Sequence, residues 1–412
     1  MKCIIIIIFF FIIPDLCLPQ GWYRQITSTT NFLYCTDFIN QNTGWACGQN
    51  GTILKTTNGG ADWFSQISNT SFILYSIFFI DENTGWVCGQ NGTIKKSTNG
   101  GANWITQLSA FTNFIYSVVF TDVNTGYFAG SNGTIYKTTT GGGVWFPQTS
   151  GVSNTLSCIH FPQSGASLTG YISGGSATAG VVLKTMNGGS NWIQLSETGS
   201  NWLFGIYFYD PATGWAGGIN GGLIKTTNGG LNWINQKSGT SNRIVSLSFA
   251  DYNIGWAVGY SGTILHTTNG GNLWTPQMSS TTENLWFVDF TNSNIGWAAG
   301  WNGTILHTTN GGITSANNYT SSIPVGYFLY QNFPNPFNPD TKIKFSIPEE
   351  IHVNLTVFDI TGKSVRVLID NILKAGEHEI KFKSEVSFAS GIYFYRLSAG
   401  NFRKSGKMIL SK

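Results

Sequence analysis

The chain has 412 residues, a formal net charge of +3 and only 10% charged residues, while 15% of its residues are aromatic. The small charge gives no support to a nucleic-acid partner, and a charged fraction far below the usual value of about 25% disfavours a fold of charged surface helices. The charges are also unevenly distributed: residues 22–312 hold nine Lys and Arg and ten Asp and Glu, whereas residues 313–412 hold twelve and eight. This difference in charge density predicts two domains.

Residues 1–20 predict a signal peptide. Lys2 precedes an apolar run from Ile4 to Ile13, and Pro14 ends the run. Ten apolar residues are too few to span a bilayer as a helix, but they have the length of a signal-peptide core. We expect cleavage between residues 17 and 21, and we expect the mature chain to contain no membrane span.

A repeat fills residues 21–312 and predicts an all-β, seven-bladed β-propeller. Each repeat has four short runs of strand character separated by Asn-Gly or Gly-Gly, which are strong hairpin signals. Four-stranded repeats of about 40–45 residues are typical of propeller blades. In the first repeat the runs are Asn31–Phe38, Gly44–Gly48, Thr52–Thr57 and Asp62–Ser68. A glycine followed by Trp or Tyr marks each repeat, at spacings of 41, 41, 44, 44, 41 and 41 residues; these glycines are Gly44, Gly85, Gly126, Gly170, Gly214, Gly255 and Gly296.

The seventh repeat lacks its fourth strand, and the start of the mature chain supplies a matching sequence. Residues 22–25 read Trp-Tyr-Arg-Gln and resemble residues 63–66 of the first repeat, which read Trp-Phe-Ser-Gln. Trp22 also precedes Asn31 by nine residues, the same spacing that separates the last Trp of a repeat from the next repeat. We therefore predict that the N-terminal strand completes blade 7 and closes the ring, which leaves no open sheet edge between blades.

The repeat resembles a known family. Residues 56–63 (T-T-N-G-G-A-D-W) are similar to an Asp-box, S/T-x-D-x-G-x-x-W, with Asn58 at the Asp position. The whole repeat is similar to those of photosystem II assembly/stability-factor-type propellers, a resemblance that covers residues 22–312 and implies seven blades. Those relatives are described as carrying an arginine-rich patch, whereas this propeller has only Arg24 and Arg243.

Residues 313–326 are rich in Ser, Thr and Asn and predict a linker. Residues 327–412 predict a small β-sandwich, because short strands of alternating character follow one another. The predicted strands include Val353–Asp359, Ser364–Ile369, Glu377–Phe382 and Gly391–Leu397.

This C-terminal segment resembles the type A C-terminal sorting domain of the type IX (Por) secretion system. The resemblance rests on the N-F-P-N-P-F-N-P stretch from Asn332 to Pro339, Val-Phe-Asp at 357–359 with Gly362, the run Gly391–Leu397 and the basic end from Lys404 to Lys412. It implies that residues 327–412 engage the type IX secretion machinery. The protein is then secreted or displayed on the outer surface of a two-membrane bacterium.

Positions that agree in every repeat are interpreted as scaffold. The Trp or Tyr after each repeat glycine is expected to pack between blades and to bind no ligand. A basic column on the third strands is interpreted as covering apolar surface with its aliphatic stems; the alternative is a ring of charge for an anionic ligand. The column consists of Lys55, Lys96, Lys137, Lys184, Lys225, His266 and His307.

The cysteines and histidines give no metal-binding spacing, so we expect neither a metal nor a cofactor. Pairing Phe38 with Gly44 would place Cys35 opposite Cys47 on neighbouring strands. The oxidising export route allows a disulfide between them, and the sequence leaves the choice between a disulfide and two free thiols open.

Asp-boxes also occur in sialidases and other glycoside hydrolases, so an enzymatic alternative must be considered. A sialidase would need three arginines, and the propeller has two. A general glycosidase needs two carboxylates about 5–9.5 Å apart. Asp37 and Asp289 share a first-strand column on the adjacent blades 1 and 7, and His160 and Tyr207 occupy the same column. A secreted polysaccharide-active hydrolase with these two acids is therefore the alternative hypothesis.

The favoured hypothesis is a non-enzymatic binding or scaffold module for a protein or glycan. Repeats diverge where the scaffold does not dictate the residue. The variable positions fall at the starts of the first strands and in the loops between the second and third strands, which an up-and-down blade brings to one end. Exposed aromatic residues with an Arg are typical binding anchors. The predicted ligand-binding face comprises Trp202, Arg243, Tyr260, Trp301 and Phe114.

Overall fold

The computed structural model describes residues 21–107, 111–162, 168–176, 179–195, 202–313, 326–332, 334–385 and 388–411. The predicted signal peptide and nearly all of the predicted linker lie outside these residues. The chain divides into two compact units near residue 315. Within the described part of the chain, no helix has the length and apolar character needed to cross a membrane.

The first unit is a seven-bladed propeller, as predicted, and each blade is a four-stranded antiparallel sheet. The first strands are Leu33–Phe38, Leu74–Phe79, Ile115–Phe120, Thr155–His160, Leu203–Phe208, Ile244–Phe249 and Leu285–Phe290. The second strands are Gly44–Gly48, Gly85–Gly89, Gly126–Gly130, Gly170–Gly175, Gly214–Gly218, Gly255–Gly259 and Gly296–Gly300.

The outer half of each blade consists of shorter strands. The third strands are Ile53–Thr56, Ile94–Ser97, Ile135–Thr138, Gly180–Thr185, Leu223–Thr226, Ile264–Thr267 and Ile305–Thr308. The fourth strands are Phe64–Gln66, Ile105–Thr106, Phe146–Gln148, Ile193–Gln194, Ile234–Gln236, Thr275–Gln277 and, for blade 7, Tyr23–Arg24. Three of the loops between second and third strands form short 3-10 turns, at Gln49–Gly51, Gln90–Gly92 and Ile219–Gly221.

Every first strand carries a β-bulge near its start. In blade 1, Leu33 pairs with Gly48 and Cys35 pairs with Cys47, so Tyr34 is the extra residue. The partner strand ends in glycine because a Cβ atom on Gly48 would lie 2.0 Å from the carbonyl oxygen of Phe32. A bulge bends its strand and re-aims the unpaired side chain. The seven bulged residues are Tyr34, Tyr75, Tyr116, Ser157, Phe204, Val245 and Trp286.

The N-terminal strand closes the ring, as the repeat spacing predicted. Tyr23 pairs with His307 and Arg24 pairs with Leu306. The Trp22 indole donates a 2.8 Å hydrogen bond to the Gln277 side chain of blade 6. The Gln25 amide donates to the carbonyl of Gly59 in blade 1 at 2.8 Å. The closing strand is therefore held by both blades that flank blade 7.

Aromatic and basic columns join neighbouring blades. Trp45 stacks on Phe79 of the next blade with ring centroids 3.5 Å apart, and its indole donates to the carbonyl of Gly100 at 3.0 Å. The Lys55 ammonium lies 5.0 Å from the centre of the Trp45 ring and donates to the same carbonyl. Four other blades repeat the cation–π contact. The lysines of the basic column therefore stabilise the contacts between blades. Their ammonium groups take part in these contacts, in addition to their aliphatic stems.

The second unit is a β-sandwich, as predicted. A three-stranded sheet contains Phe328–Leu329, Asp340–Ile347 and Gly376–Lys383, in this order. A four-stranded sheet contains Ser364–Leu373, Ile351–Phe358, Gly391–Ala399 and Phe402–Leu410, also in spatial order. The last strand, Phe402–Leu410, overlaps the basic end from Lys404 to Lys412, for which no strand was predicted. Both sheets contribute side chains to one core, among them Phe345, Val357 and Tyr395.

The Pro-rich stretch before the sandwich is part of its core structure. Phe337 is buried, and its backbone N–H donates to the carbonyl of Ile409 at 2.9 Å. The Asn332 backbone N–H donates to the buried Tyr395 hydroxyl at 3.0 Å. The stretch therefore fixes the last strand of the unit, which gives the N-x-P-N-P-F-N-P motif a physical role.

Candidate functional site

The seven first strands surround a central cavity of about 560 Å³, a volume typical of small-molecule sites, which span about 300–1,000 Å³. At one end of the cavity, the loops between second and third strands meet the starts of the first strands. The Gln49 and Tyr260 backbone N–H groups donate to the carbonyls of Phe32 and Arg243 at 2.8 and 3.0 Å. We call this end the mouth, and the end where the first strands finish the base.

The bulged residues form the wall of the cavity on the mouth side, and we call them the collar. The rings of Tyr34 and Trp286 lie 5.2 Å apart, those of Tyr34 and Tyr75 5.3 Å, and those of Tyr75 and Tyr116 5.0 Å. Blades 7, 1, 2 and 3 thus present a continuous aromatic wall. Burial raises the pKa of Tyr75 to about 12, so its hydroxyl keeps its proton at neutral pH and remains a donor.

Arg243 lies at the mouth between two aromatic rings. Its guanidinium carbon is 4.5 Å from the centre of the Phe204 ring and 4.6 Å from the centre of the Tyr260 ring. Nη1 donates to the Tyr260 hydroxyl at 2.9 Å. The ion pairs found among the described residues all lie in the C-terminal unit, so no described carboxylate neutralises Arg243. A guanidinium has five N–H donors, and most of those of Arg243 remain for a ligand.

The structure brings four of the five predicted face residues into one connected surface. Trp202 stacks on Phe204 at 5.2 Å, next to Arg243. The Tyr260 and Trp301 rings lie 6.2 Å apart. Phe114 lies on blade 3, where it contacts Tyr75 and Tyr116 of the collar.

Sequence reasoning missed the residues that connect these anchors. Phe204 links Trp202 to Arg243, and Trp286 links Tyr260 to Tyr34, with the Tyr260 and Trp286 rings 5.8 Å apart. A signal was available, because the position that carries the bulge, Tyr34 in blade 1, is aromatic in five of the seven blades. This signal could not be interpreted without knowledge of the bulge. In an ordinary strand, successive side chains alternate between the two faces of the sheet, so the sequence did not single out these residues as the ones that line the cavity.

The inner edges of the first strands are held by side chains from the preceding blade. Ser76 accepts a hydrogen bond from the Val118 backbone N–H at 3.3 Å. Five more such bonds follow the same pattern: Ser117 with Ile159, Ser246 with Val288, Asp37 with Phe79, Asp289 with Phe38, and His160 with Phe208. Tyr207 completes the set by donating to the Phe249 carbonyl at 2.9 Å. The polar residues of the cavity therefore bind backbone groups of the next blade.

Asp37 and Asp289 lie at the base of the cavity. Burial raises the pKa of Asp289 to about 6, although hydrogen bonds from the Phe38 and Phe290 backbones oppose the shift. Burial and the nearby Asp289 carboxylate raise the pKa of Asp37 well above its usual value. A raised pKa also suits a catalytic acid, but each carboxylate here accepts a backbone N–H of the neighbouring blade. This geometry gives both acids a role in joining blades.

The cysteines and the propeller histidines lie in buried surroundings that favour a structural role. Cys35 lies opposite Cys47, as the strand register predicted, and both thiols are free and buried. Burial lowers the pKa of His160, His266 and His307 to about 4, so these rings are neutral at physiological pH. Within the described ranges, no group of three or more His, Cys, Asp or Glu side chains is arranged to hold a metal ion.

A ring of seven four-stranded blades with an Asp-box-like repeat, followed in the chain by a β-sandwich unit, defines a repeat propeller as the class of protein. The family model described as photosynthesis system II assembly factor YCF48 matches residues 17–110 and 197–278. The family model described as secretion system C-terminal sorting domain matches residues 331–411. Two segments of the propeller thus match the YCF48 model and most of the second unit matches the sorting-domain model, which confirms both resemblances stated from the sequence; the sorting-domain match indicates secretion or outer-surface export.

Solved structures show the same fold at low sequence identity. A structure described as YCF48 bound to D1 peptide is 21% identical, covers 71% of this chain and 98% of its own, and has a TM-score of 0.61. YCF48 from Cyanidioschyzon merolae is 22% identical over 70% of this chain and 98% of its own, with a TM-score of 0.60.

A third solved structure matches over most of the chain. PorZ, a surface component of the type-IX secretion system of Porphyromonas gingivalis, is 12% identical and covers 94% of this chain, with a TM-score of 0.54. The match spans 60% of PorZ. No curated protein matches the chain.

Proposed function

We propose that the protein is a secreted or surface-displayed binding module that takes its ligand at the mouth of the propeller. The observation that carries the proposal is the aromatic surface around Arg243, which runs from Trp202 through Tyr260 to the collar. The rings of this aromatic surface pack against one another, whereas the aromatic residues of the scaffold are buried in contacts between blades. Large aromatic residues with a central Arg are typical of binding hot spots.

The proposal includes the domain organisation predicted from the sequence: a signal peptide at 1–20, a propeller at 21–312, a linker at 313–326 and a sorting domain at 327–412. The signal peptide would take the chain across the inner membrane, and the sorting domain would take it across the outer membrane through the type IX machinery. Deleting residues 325–412 should therefore leave a folded propeller in the periplasm. Normal amounts of the truncated chain on the cell surface would contradict this route.

The binding function is tested with the full chain on a glycan array and in pull-downs from the cell envelope and medium. A variant with Trp202, Arg243, Tyr260 and Trp301 changed to Ala should lose every ligand that the wild type captures. A matched control changes four exposed apolar residues of the outer strands, Phe64, Ile105, Phe146 and Ile234, to Ala. Binding that survives the first variant and fails in the control would place the ligand site on the outer strands.

Nothing specific favours the hydrolase alternative. Its two acids are already bound to backbone N–H groups of adjacent blades, and they lie at the base of the cavity, away from the aromatic mouth. The non-enzymatic proposal therefore accounts for more of the residues in the cavity.

A further inference from the structure

We infer that the mouth takes an acidic sugar, a residue such as a uronic acid at the end of a glycan, with its carboxylate at Arg243 and its ring against the collar. This inference rests on the binding function proposed above and names the class of ligand. It follows from the charge at the mouth, the aromatic collar, the hydrogen bonds along the inner strand edges and the size of the cavity.

The charge at the mouth favours an anion. Arg243 has no described carboxylate partner, and the two aromatic rings that sandwich it hold its planar fork in place. The acids of the cavity, Asp37 and Asp289, are at the far end of their strands and are occupied by backbone donors. A fixed guanidinium matches the two oxygens of a carboxylate and loses little freedom on binding it.

The collar favours a sugar ring beside that anion. Tyr34, Tyr75, Tyr116 and Trp286 form an aromatic wall, and Tyr260 connects this wall to Arg243. An aromatic face packs against the apolar C–H face of a ring, while hydroxyls at its rim donate and accept hydrogen bonds. The Tyr hydroxyls supply such groups, as does the Ser157 hydroxyl, which accepts a 3.0 Å hydrogen bond from the Trp202 indole and retains its own proton for donation.

The inner edges of the strands disfavour an extended peptide as the occupant. A peptide that adds to a sheet uses the free backbone N–H and C=O groups of the edge strand. At two levels of this cavity, side chains of the preceding blade already bind those N–H groups in three blades each, for example Val118 by Ser76 and Phe38 by Asp289. A ligand that recognises side chains alone, as a sugar does, fits the remaining surface.

The size of the cavity indicates that the ligand enters by its end. A volume of about 560 Å³ is in the range of sites for small ligands and does not accommodate a long polymer. We therefore expect a terminal acidic sugar, with the rest of the glycan leaving through the mouth.

The test measures the affinity of the full chain for digalacturonate, diglucuronate and dimannuronate by calorimetry, each against its carboxyl-reduced neutral counterpart. At least one acidic disaccharide should bind about tenfold or more tightly than its counterpart, with an affinity that falls as salt is added. Arg243→Gln should remove that preference. Arg24→Gln, which changes the other arginine of the propeller, should keep it, because Arg24 lies on the closing strand and donates to the Asn302 carbonyl.

The outcomes separate this inference from the proposed function. Equal affinity for acidic and neutral disaccharides, or an acidic preference that survives Arg243→Gln, overturns the acidic-sugar assignment and leaves the mouth as a binding site. The absence of binding by all six disaccharides, together with a peptide or protein ligand that the fourfold Ala variant loses, also overturns it. Binding that is unaffected by the fourfold Ala variant contradicts the proposed function itself.

Discussion

The two ends of the propeller use aromatic residues in opposite ways. Towards the base, Trp45 and the four Trp residues at equivalent positions are fully buried, stack on the next blade and donate to a carbonyl of its Gly-Gly turn. At the mouth, Tyr34, Tyr260 and Trp301 are half-buried and contact other aromatic rings of the same end, such as Trp286 and Phe32. The first set is repeated in every blade, and the second differs from blade to blade. Agreement between repeats thus marks the scaffold, and divergence marks the surface that is free to acquire a ligand.

The largest expected effect comes from opening the ring. Deleting residues 21–30 removes the strand that pairs with Ile305–Thr308 and the ties to Gln277 and Gly59, so we expect the soluble yield to collapse. The variant is produced without its signal peptide and compared with a ten-residue deletion in the predicted linker, which should leave the yield unchanged. A soluble closing-strand variant with the wild-type melting temperature would show that the ring does not need this strand.

Substituting one Trp near the base and one Trp at the mouth tests directly whether the two ends of the propeller differ. Trp256 is fully buried, stacks on Phe290 at 3.4 Å and donates to the Gly311 carbonyl. Trp256→Ala should cost about 3–5 kcal/mol of unfolding free energy in urea, because it removes a large buried side chain. Trp301→Ala at the mouth should cost clearly less and should weaken ligand binding. Equal costs for the two changes would mean that the mouth is also scaffold.

The two acids at the base should make the free energy of unfolding depend on pH. The pKa of Asp289 is raised to about 6 in the folded chain, above the ordinary value of 3.8, so its contribution is fully present below pH 3.8 and is lost as the pH rises through 6. Asp289→Asn removes this loss while its amide oxygen still accepts the Phe38 N–H. The unfolding free energy of the variant minus that of the wild type should therefore increase by up to about 3 kcal/mol from pH 4 to pH 7.

This difference reports Asp289 together with its effect on the pKa of the neighbouring Asp37, because the three buried histidines are present in both proteins. Their lowered pKa values remove stability as the pH falls towards 4, and this term cancels in the subtraction. A difference that stays constant between pH 4 and 7 would contradict the raised pKa. Polysaccharide hydrolysis that is lost in Asp289→Asn without loss of folding would instead support the enzymatic alternative.

The smallest expected effect concerns the basic column. Lys55→Met removes the cation–π contact with Trp45 and the hydrogen bond to Gly100 but keeps an aliphatic stem. We expect a loss of about 1 kcal/mol in unfolding free energy and no change in affinity for the disaccharides. A weaker affinity for an acidic disaccharide in this variant would revive the interpretation of the column as an anion-binding ring.

Most of the fold was predictable because it is local and repeated. The Asn-Gly and Gly-Gly turns set the strand ends, so the predicted Gly44–Gly48 strand agrees with the structure and Cys35 lies opposite Cys47. The closing strand was predictable because its sequence repeats that of residues 63–66. The final strand of the sandwich, Phe402–Leu410, was missed, since its Lys and Arg residues mask the alternation of its buried Met408 and Leu410.

The site was predictable only in part. Divergent positions identified Trp202, Arg243, Tyr260 and Trp301, but sequence alone did not show that Phe204 and Tyr260 enclose the guanidinium. These rings come from different blades and reach Arg243 because of the ring geometry and the bulge at Phe204. Tyr260 lies in the same blade as Arg243, whereas the contact of Phe204 with Arg243 crosses from one blade to the next and depends on tertiary structure, which no pattern within one repeat encodes.

The pairing of Tyr23 with His307 joins residues 284 positions apart. The first strand of the mature propeller must therefore wait, unpaired, until the third strand of the last blade has emerged, which makes ring closure a late and slow step of folding. The segment that matches the sorting-domain model follows that blade after the linker. A chain that ends early, anywhere within the propeller, therefore lacks both the strand that pairs with Tyr23–Arg24 and this segment, so every chain that carries the segment also carries all the strands needed to complete the ring.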